Sequence, residues 1–415
     1  MATGFLRVRG GQIVDENASS VVLRGASLGG WMNMENFITG YPGQTFSPSD
    51  AKFFASLGLN CIRIPVNYRH VEDDLNPRVI RSRDQLAHRQ PRKSFNWWDH
   101  KDFQDRTIWL WQQIAQRYKE NTWVAGYNPM NEPRNSEHIR LPAFYERFEW
   151  ELRSVDPNHI LFLDGNTFSM EWKGFEKVLP NSAYSIHDYS TMGLPTGEKF
   201  LGSTEQMDRL EKQFLRKAEF QQKKGTVLWN GEFGPAYEEP HRTPNAEELN
   251  KCRYDLLGAQ LKIYDKYEIS WSIWLYKDIG LQGMIYCDPE SKYMKTVQDF
   301  ADKKKHLNLD HWGMYPNAEL DKAIKELVRW VDRHAPEATK TYPTTWNTER
   351  HIRPAVMQTF VADSFSMEFA KHFENMSEDE LEECAKSFAF ENCVSRGELN
   401  RIMSEHATIR DAASK

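Results

Sequence analysis

Two glutamates, Glu132 and Glu232, each stand at the end of a short apolar run. The first run is Val124-Ala-Gly-Tyr-Asn-Pro-Met-Asn-Glu-Pro133 and the second is Thr226-Val-Leu-Trp-Asn-Gly-Glu-Phe-Gly234. Two carboxyls on two different strand ends suit glycoside hydrolysis, where one serves as acid and base and the other as nucleophile. Pro133 has no N–H to give a ladder, so the first strand is read as stopping there. The tripeptide Asn131-Glu132-Pro133 alone decides little, because a fixed tripeptide arises by chance in roughly 5% of chains of this length at average residue usage. Its context, a carboxylate closing an apolar strand and then a second one doing the same, carries the signal.

Positioning such a pair takes a scaffold of parallel strands, and the chain alternates strand and helix signals at a spacing of about thirty residues. Strand runs lie at Val21–Trp31, Asn60–Val66, His159–Gly165, Ser182–Tyr189 and Ser270–Tyr276, besides the two that carry the glutamates. Helical patterns fall at 47–58, 102–118, 142–155, 204–222, 246–267 and 291–304. Before them, Phe5–Val8 and Gln12–Val14 flank Gly10-Gly11, a hairpin signal. Carboxylates at several strand ends predict a closed TIM (β/α)8 barrel, with catalysis at its C-terminal mouth. No phosphate-cradling glycine loop supports an open doubly wound sheet.

One unit of that barrel has no counterpart in the pattern. Asn67–Lys101 has to supply a helix, the third strand and their loops, yet it is polar and contains no apolar run. A parallel strand is buried on both faces and reads as apolar, so the expectation is a barrel lacking or distorted at its third βα unit. After Lys277 the character changes again. Ser377 caps an acidic first turn, and residues 306–415 read as a helical C-terminal extension that covers a barrel formed by residues 1–305.

Composition narrows the partners. With 59 acidic and 53 basic side chains the charge is nearly balanced, which argues against nucleic acid. Fourteen Trp and sixteen Tyr fill core for the most part and leave rings available for stacking on sugar faces. Five cysteines without close spacing predict neither a metal site nor a disulfide framework. The first ten residues lack the apolar core of a signal peptide, and no run approaches membrane-spanning length, so the expectation is a soluble, cytoplasmic protein without a membrane partner.

Across about residues 5–305, separate motifs follow the order seen in family 5 of the glycoside hydrolases, and the chain resembles that family. Arg24-Gly-Ala-Ser-Leu-Gly-Gly-Trp31 is similar to the family's first-strand motif, and its continuation to Glu35-Asn36-Phe37-Ile38 resembles the fungal exo-β-glucanase and β-glucosidase branch. Arg63 sits at the second strand's position. Asn131-Glu132-Pro133 matches the acid/base motif, Glu232-Phe-Gly the nucleophile motif, His187 and Tyr189 the sixth-strand pair, and Trp274 the aromatic floor on the eighth strand. The family's third-strand His has no match: His88 and His100 lie in the gap, and neither follows an apolar run.

The resemblance implies a retaining β-glycosidase, exo-acting on β-glucosides or β-glucans, with a carbohydrate substrate and no metal or organic cofactor. Glu132 is then general acid and base, Glu232 nucleophile, and Arg63 the cation that keeps Glu232 ionised. Asn131 bonds the sugar 2-OH, Tyr189 donates to Glu232, His187 contacts sugar or orients a catalytic group, and Trp274 stacks on the sugar. Trp31 and Glu35 shape the pocket. Each has a plainer explanation: a rim ion pair for Arg63, a capping Asn, a bonded core His, a core Trp. The alternative at the level of the whole chain is a barrel that kept its carboxylates, lost the third unit and binds carbohydrate without turnover.

Overall fold

The computed structural model describes residues 4–29, 46–66, 97–239, 243–309 and 315–413. Strands β1 (Arg7–Arg9) and β2 (Gln12–Val14) pair as an antiparallel hairpin. Gly10 and Gly11, with φ of 54° and 78°, supply the left-handed pair that a two-residue hairpin turn requires. Seven further strands follow: β3 (Arg24–Ser27), β4 (Cys61–Arg63), β5 (Gly126–Tyr127), β6 (Ile160–Asp164), β7 (Ser182–His187), β8 (Val227–Glu232) and β9 (Ser270–Ile273). All pair in parallel, in the order β4-β3-β9-β8-β7-β6-β5.

The pairing of β3, first of these in sequence, with β9, the last, curls the sheet as a TIM barrel does. Its outer strands β4 and β5 are the second and fourth of the eightfold count. Among the described residues no strand lies between them. Residues 67–96 of the expected gap segment fall outside the described residues; Trp97–Asp99 forms a 3-10 turn that leads into the helix Lys101–Tyr118. On β4, Ile62 is exposed, as is Ile64 just beyond it.

Alternation along the strands sorts the two faces. Ile160 and Phe162 of β6, Ala183 of β7, and Val227 and Trp229 of β8 join Leu23 and Ile13 in one apolar cluster, with Ile13 brought by the hairpin. Leu161, Leu163, Tyr184 and Ile186 belong to a second, larger cluster with the crossover helices. The strand carrying Glu132 is shorter than its apolar run suggests: β5 ends at Tyr127, because Pro129 lacks a ladder donor well before Pro133.

The helical extension packs on the barrel. After β9 the chain forms β10 (Lys277–Asp278) and β11 (Ile285–Cys287), and β12 (Cys393–Ser395) of the extension pairs antiparallel with β11. Arg396 bonds the carbonyl of Gly283 at 3.0 Å and lies 4.3 Å from the ring of Tyr237. Leu399, Ile402 and Met403 enter the main core. No helix among the described residues is long and apolar enough to cross a membrane.

A buried ion pair joins three of these parts. Ser47 caps the helix Pro48–Ser56 in a capping box with Asp50. Asp50 also pairs with Lys277 at 2.9 Å and accepts from the Tyr276 hydroxyl at 2.6 Å, while Lys277 donates to the Phe388 carbonyl at 2.9 Å. Burial works to raise the Asp50 pKa, but bonds from Ser47, Tyr276 and Lys277 outweigh it and hold the carboxyl below its ordinary 3.8. The stability it adds is therefore present above pH 3.8 and is lost as pH falls through the lower folded-state value. Asp50→Ala is expected to cost roughly 3–5 kcal/mol at neutral pH, because it strands a buried lysine. Urea unfolding checks this; a loss below about 1 kcal/mol contradicts the role, being no more than an exposed pair contributes.

Candidate active site

The functional side chains converge at the C-terminal ends of the strands. Arg63 is the last residue of β4, His187 of β7 and Glu232 of β8. Regular alternation alone does not bring the last two together. The β7–β8 register slips between Ile186 and His187, so that His187 faces Glu232 and Gly231 is the extra residue. A side chain there would crowd the site: a Cβ on Gly231 would lie 2.9 Å from Ser185 Oγ and 3.0 Å from His187 Nε2.

Glu132 arrives differently, on a loop five residues beyond the last pairing of β5. Its backbone is left-handed, with φ of 49°, a conformation that costs a non-glycine residue roughly 1–2 kcal/mol. Asp164, the last residue of β6, holds that loop: its Oδ2 accepts from the Glu132 amide at 2.9 Å and its Oδ1 from Asn128 Nδ2 at 2.9 Å. Just past Asp164, three consecutive non-glycine residues, Thr167, Phe168 and Ser169, are left-handed as well, with φ of 52°, 61° and 59°. This turn is fastened back to the same carboxylate by Ser169 Oγ at 2.8 Å.

Glu132 and Glu232 face one another with His187 between them. One side-chain donor atom from each of the three lies within 4.8 Å of the other two. His187 Nδ1 is 2.7 Å from Glu132 Oε1 and 3.5 Å from Glu232 Oε2. Arg63 Nη1 donates to Glu232 Oε1 at 2.5 Å, and the Tyr189 hydroxyl donates to Oε2 at 3.0 Å. The same guanidinium reaches Asn131 Oδ1 at 2.6 Å through Nη2. A metal ion would need lone pairs where Arg63 and Tyr189 present donors to Glu232, so the set is arranged for proton and carboxylate chemistry.

Charge follows from this packing. Burial pulls the His187 pKa down, but the carboxylates of Glu232 and Asp164 and the bond to Glu132 outweigh it and raise it above 6.5. Burial likewise opposes the charge on Arg63, and Glu232 followed by Asp164 more than restores it. Between His187 and Tyr189, Asp188 is locked by Lys217 Nζ at 2.6 Å and the Tyr264 hydroxyl at 2.8 Å, and its amide donates to the Glu232 carbonyl at 2.8 Å. Both neighbours are thereby pinned.

Of the residues expected from sequence, Glu132, Glu232, Arg63, Asn131, His187 and Tyr189 meet in one bonded group. Trp274, buried, follows β9; its amide bonds the carbonyl of Phe233, and its ring lies against Gly29. Trp31 and Glu35 lie outside the described residues. Sequence reading missed Asp164 and Asn128. Asp164 ends an apolar run, the same signal that marked Glu232, and was open to the same inference.

A curled parallel sheet with two buried glutamates facing each other at the C-terminal mouth of its strands is the architecture of the barrel glycoside hydrolases. The cellulase family (glycosyl hydrolase family 5) matches residues 82–280. A "Beta-xylosidase" of Phanerodontia chrysosporium is 40% identical, covering 98% of this chain and 98% of that one. An "Endoglycoceramidase" of Cyanea nozakii is 26% identical over 188 residues, 41% of this chain and 33% of that one. Among solved structures, the cellulose synthase subunit Z of Clostridioides difficile shares the fold with a TM-score of 0.50 at 19% identity, covering 62% of this chain and 92% of that chain. The chain belongs to glycosyl hydrolase family 5 and is a glycoside hydrolase by class. The match to the β-xylosidase runs over 470 positions, 55 more than the 415 residues here, so that relative carries residues with no counterpart in this chain. A βαβ unit takes about 30 residues or more, and the excess is large enough for the unit that is not among the described residues between β4 and β5.

Proposed function

We propose that the protein is a retaining, exo-acting β-glycosidase that takes β-glycosides of glucose or xylose, with Glu232 as nucleophile and Glu132 as acid and base. The observation that carries the mechanism is the spacing of the pair. Oxygens within 4.8 Å suit the roughly 5–5.5 Å of retaining enzymes and not the 6.5–9.5 Å that an inverting water requires. In the first half-reaction Glu232 attacks the anomeric carbon, while Glu132 gives its proton to the departing oxygen. In the second, Glu132 takes a proton from water, which displaces Glu232 and releases the sugar with its configuration retained. Arg63 and Tyr189 hold the carboxylate of Glu232 in line, and the 2.7 Å contact to His187 fixes the orientation of Glu132. Asn131 bonds the sugar 2-OH and Trp274 supplies the aromatic floor; residues 306–415 act as a cover to a catalytic body of residues 1–305.

The relative named a β-xylosidase puts xylosides beside glucosides in the test. The purified chain is given a panel of nitrophenyl β-glycosides, and release from the β-xyloside or β-glucoside is expected. That no strand lies between β4 and β5 among the described residues favours one second reading, a carbohydrate-binding barrel without turnover. Sugar binding with no release from any member of the panel decides for that reading.

A further inference from the structure

We infer that Tyr342 and Trp346, on a strap of the C-terminal extension, are positioning residues for Glu132, acting through the left-handed turn at Thr167–Ser169. The inference rests on the acid/base role proposed for Glu132. That turn and the Glu132 loop are laced together. The Phe168 amide donates to the Pro133 carbonyl at 3.3 Å, the Asn135 amide to Asn166 Oδ1 at 2.8 Å, and Asn166 Nδ2 to the Asn135 carbonyl at 2.8 Å. With the bond from the Glu132 amide to Asp164, the loop that carries the acid takes its shape from the segment after β6.

Three consecutive left-handed residues without glycine persist only when their surroundings over-determine them. The strap supplies that restraint. Trp346 stacks on Phe168 with ring centroids 5.4 Å apart and planes 3° apart. The Tyr342 hydroxyl bonds Glu171 Oε1 at 2.9 Å and also meets the Thr167 hydroxyl. Arg134, two residues after Glu132, lies 5.5 Å from the Tyr342 ring and 5.8 Å from the Trp346 ring. The strap therefore grips both sides of the lacing. Glu232 has separate anchors in Arg63, Tyr189 and the Asp188–Lys217–Tyr264 group. Loss of the strap should disturb the acid and spare the nucleophile.

The test separates those two steps by leaving group, because an activated aryl departs with little acid assistance. For Trp346→Ala, kcat/KM on an alkyl β-glycoside is expected to fall about 10- to 100-fold, the scale of a small misplacement. On the dinitrophenyl β-glycoside it should change by less than about 3-fold, the tolerance set by ordinary context-dependence of such effects. Trp346→Phe, which keeps a ring against Phe168, should restore most of the loss. Hydrogen exchange supplies a readout independent of turnover: amides of 131–136 should exchange faster in Trp346→Ala, and those of 227–233 should not. Equal falls on both substrates, or unchanged exchange at 131–136, overturn the inference. A wild-type chain that turns over neither substrate overturns the catalytic reading and, with it, the role assigned to the strap.

Discussion

Replacing Glu232 with Ala is expected to lower kcat on every β-glycoside by roughly 10⁴–10⁶-fold, the scale of removing a covalent nucleophile. No neighbour takes over. Tyr189 and Arg63 both act as donors to this carboxylate, and His187 Nδ1 is engaged with Glu132 Oε1 at 2.7 Å. The substitution also removes the carboxylate that Arg63 pairs with, so a loss of folding has to be separated from a loss of chemistry. Glu232→Gln retains volume and an oxygen for Arg63, and it should be equally inactive while melting near the wild type. Azide, a small nucleophile able to enter the vacated space of Glu232→Ala, should restore turnover of an activated substrate and give the α-glycosyl azide. A Glu232→Gln enzyme with more than a few per cent of wild-type activity contradicts the assignment.

Glu132→Ala is the second large effect, and its signature is a split. On alkyl glycosides, kcat/KM should fall by about 10²–10⁴, the usual worth of general acid catalysis. On dinitrophenyl glycosides the same constant should fall by less than about 10-fold, since bond cleavage there needs little proton donation. Release of the sugar from Glu232 should become slow for both substrates, because the proposed mechanism also makes Glu132 the base for water; azide should relieve this and yield the β-glycosyl azide. Equal losses in kcat/KM on both substrates would mean that Glu132 holds the sugar or the fold rather than the proton.

The residues at strand ends were the legible part of this site. Glu232 sits where an apolar run stops, Arg63, His187 and Tyr189 were legible through the family resemblance, and a parallel barrel delivers strand ends to one mouth. Glu132 was legible as a residue type but not in its placement. The run from Val124 reads as one strand stopping at Pro133, yet Pro129 ends the pairing early and Glu132 stands on a left-handed loop. That loop takes its shape from Asp164, Asn166 and Phe168, in a different βα unit, which no local pattern encodes. The strap was out of reach for the same reason: Phe168 and Trp346 meet only after the whole barrel is built. The gap before Trp97 was read from the absence of an apolar run. Residues 67–96 of that gap lie outside the described residues, among which no strand lies between β4 and β5.

The central claim is that Glu232 forms a covalent bond to the sugar. Its most direct test is to incubate the chain with the dinitrophenyl 2-deoxy-2-fluoro-β-glycosides of xylose and glucose, whose intermediates turn over slowly. Intact mass and peptide mapping then locate any adduct. One sugar per chain on the peptide that contains Glu232, absent from Glu232→Gln, is the expected result. An adduct on another residue, or hydrolysis of the ordinary substrate with inverted configuration and no adduct, would contradict it.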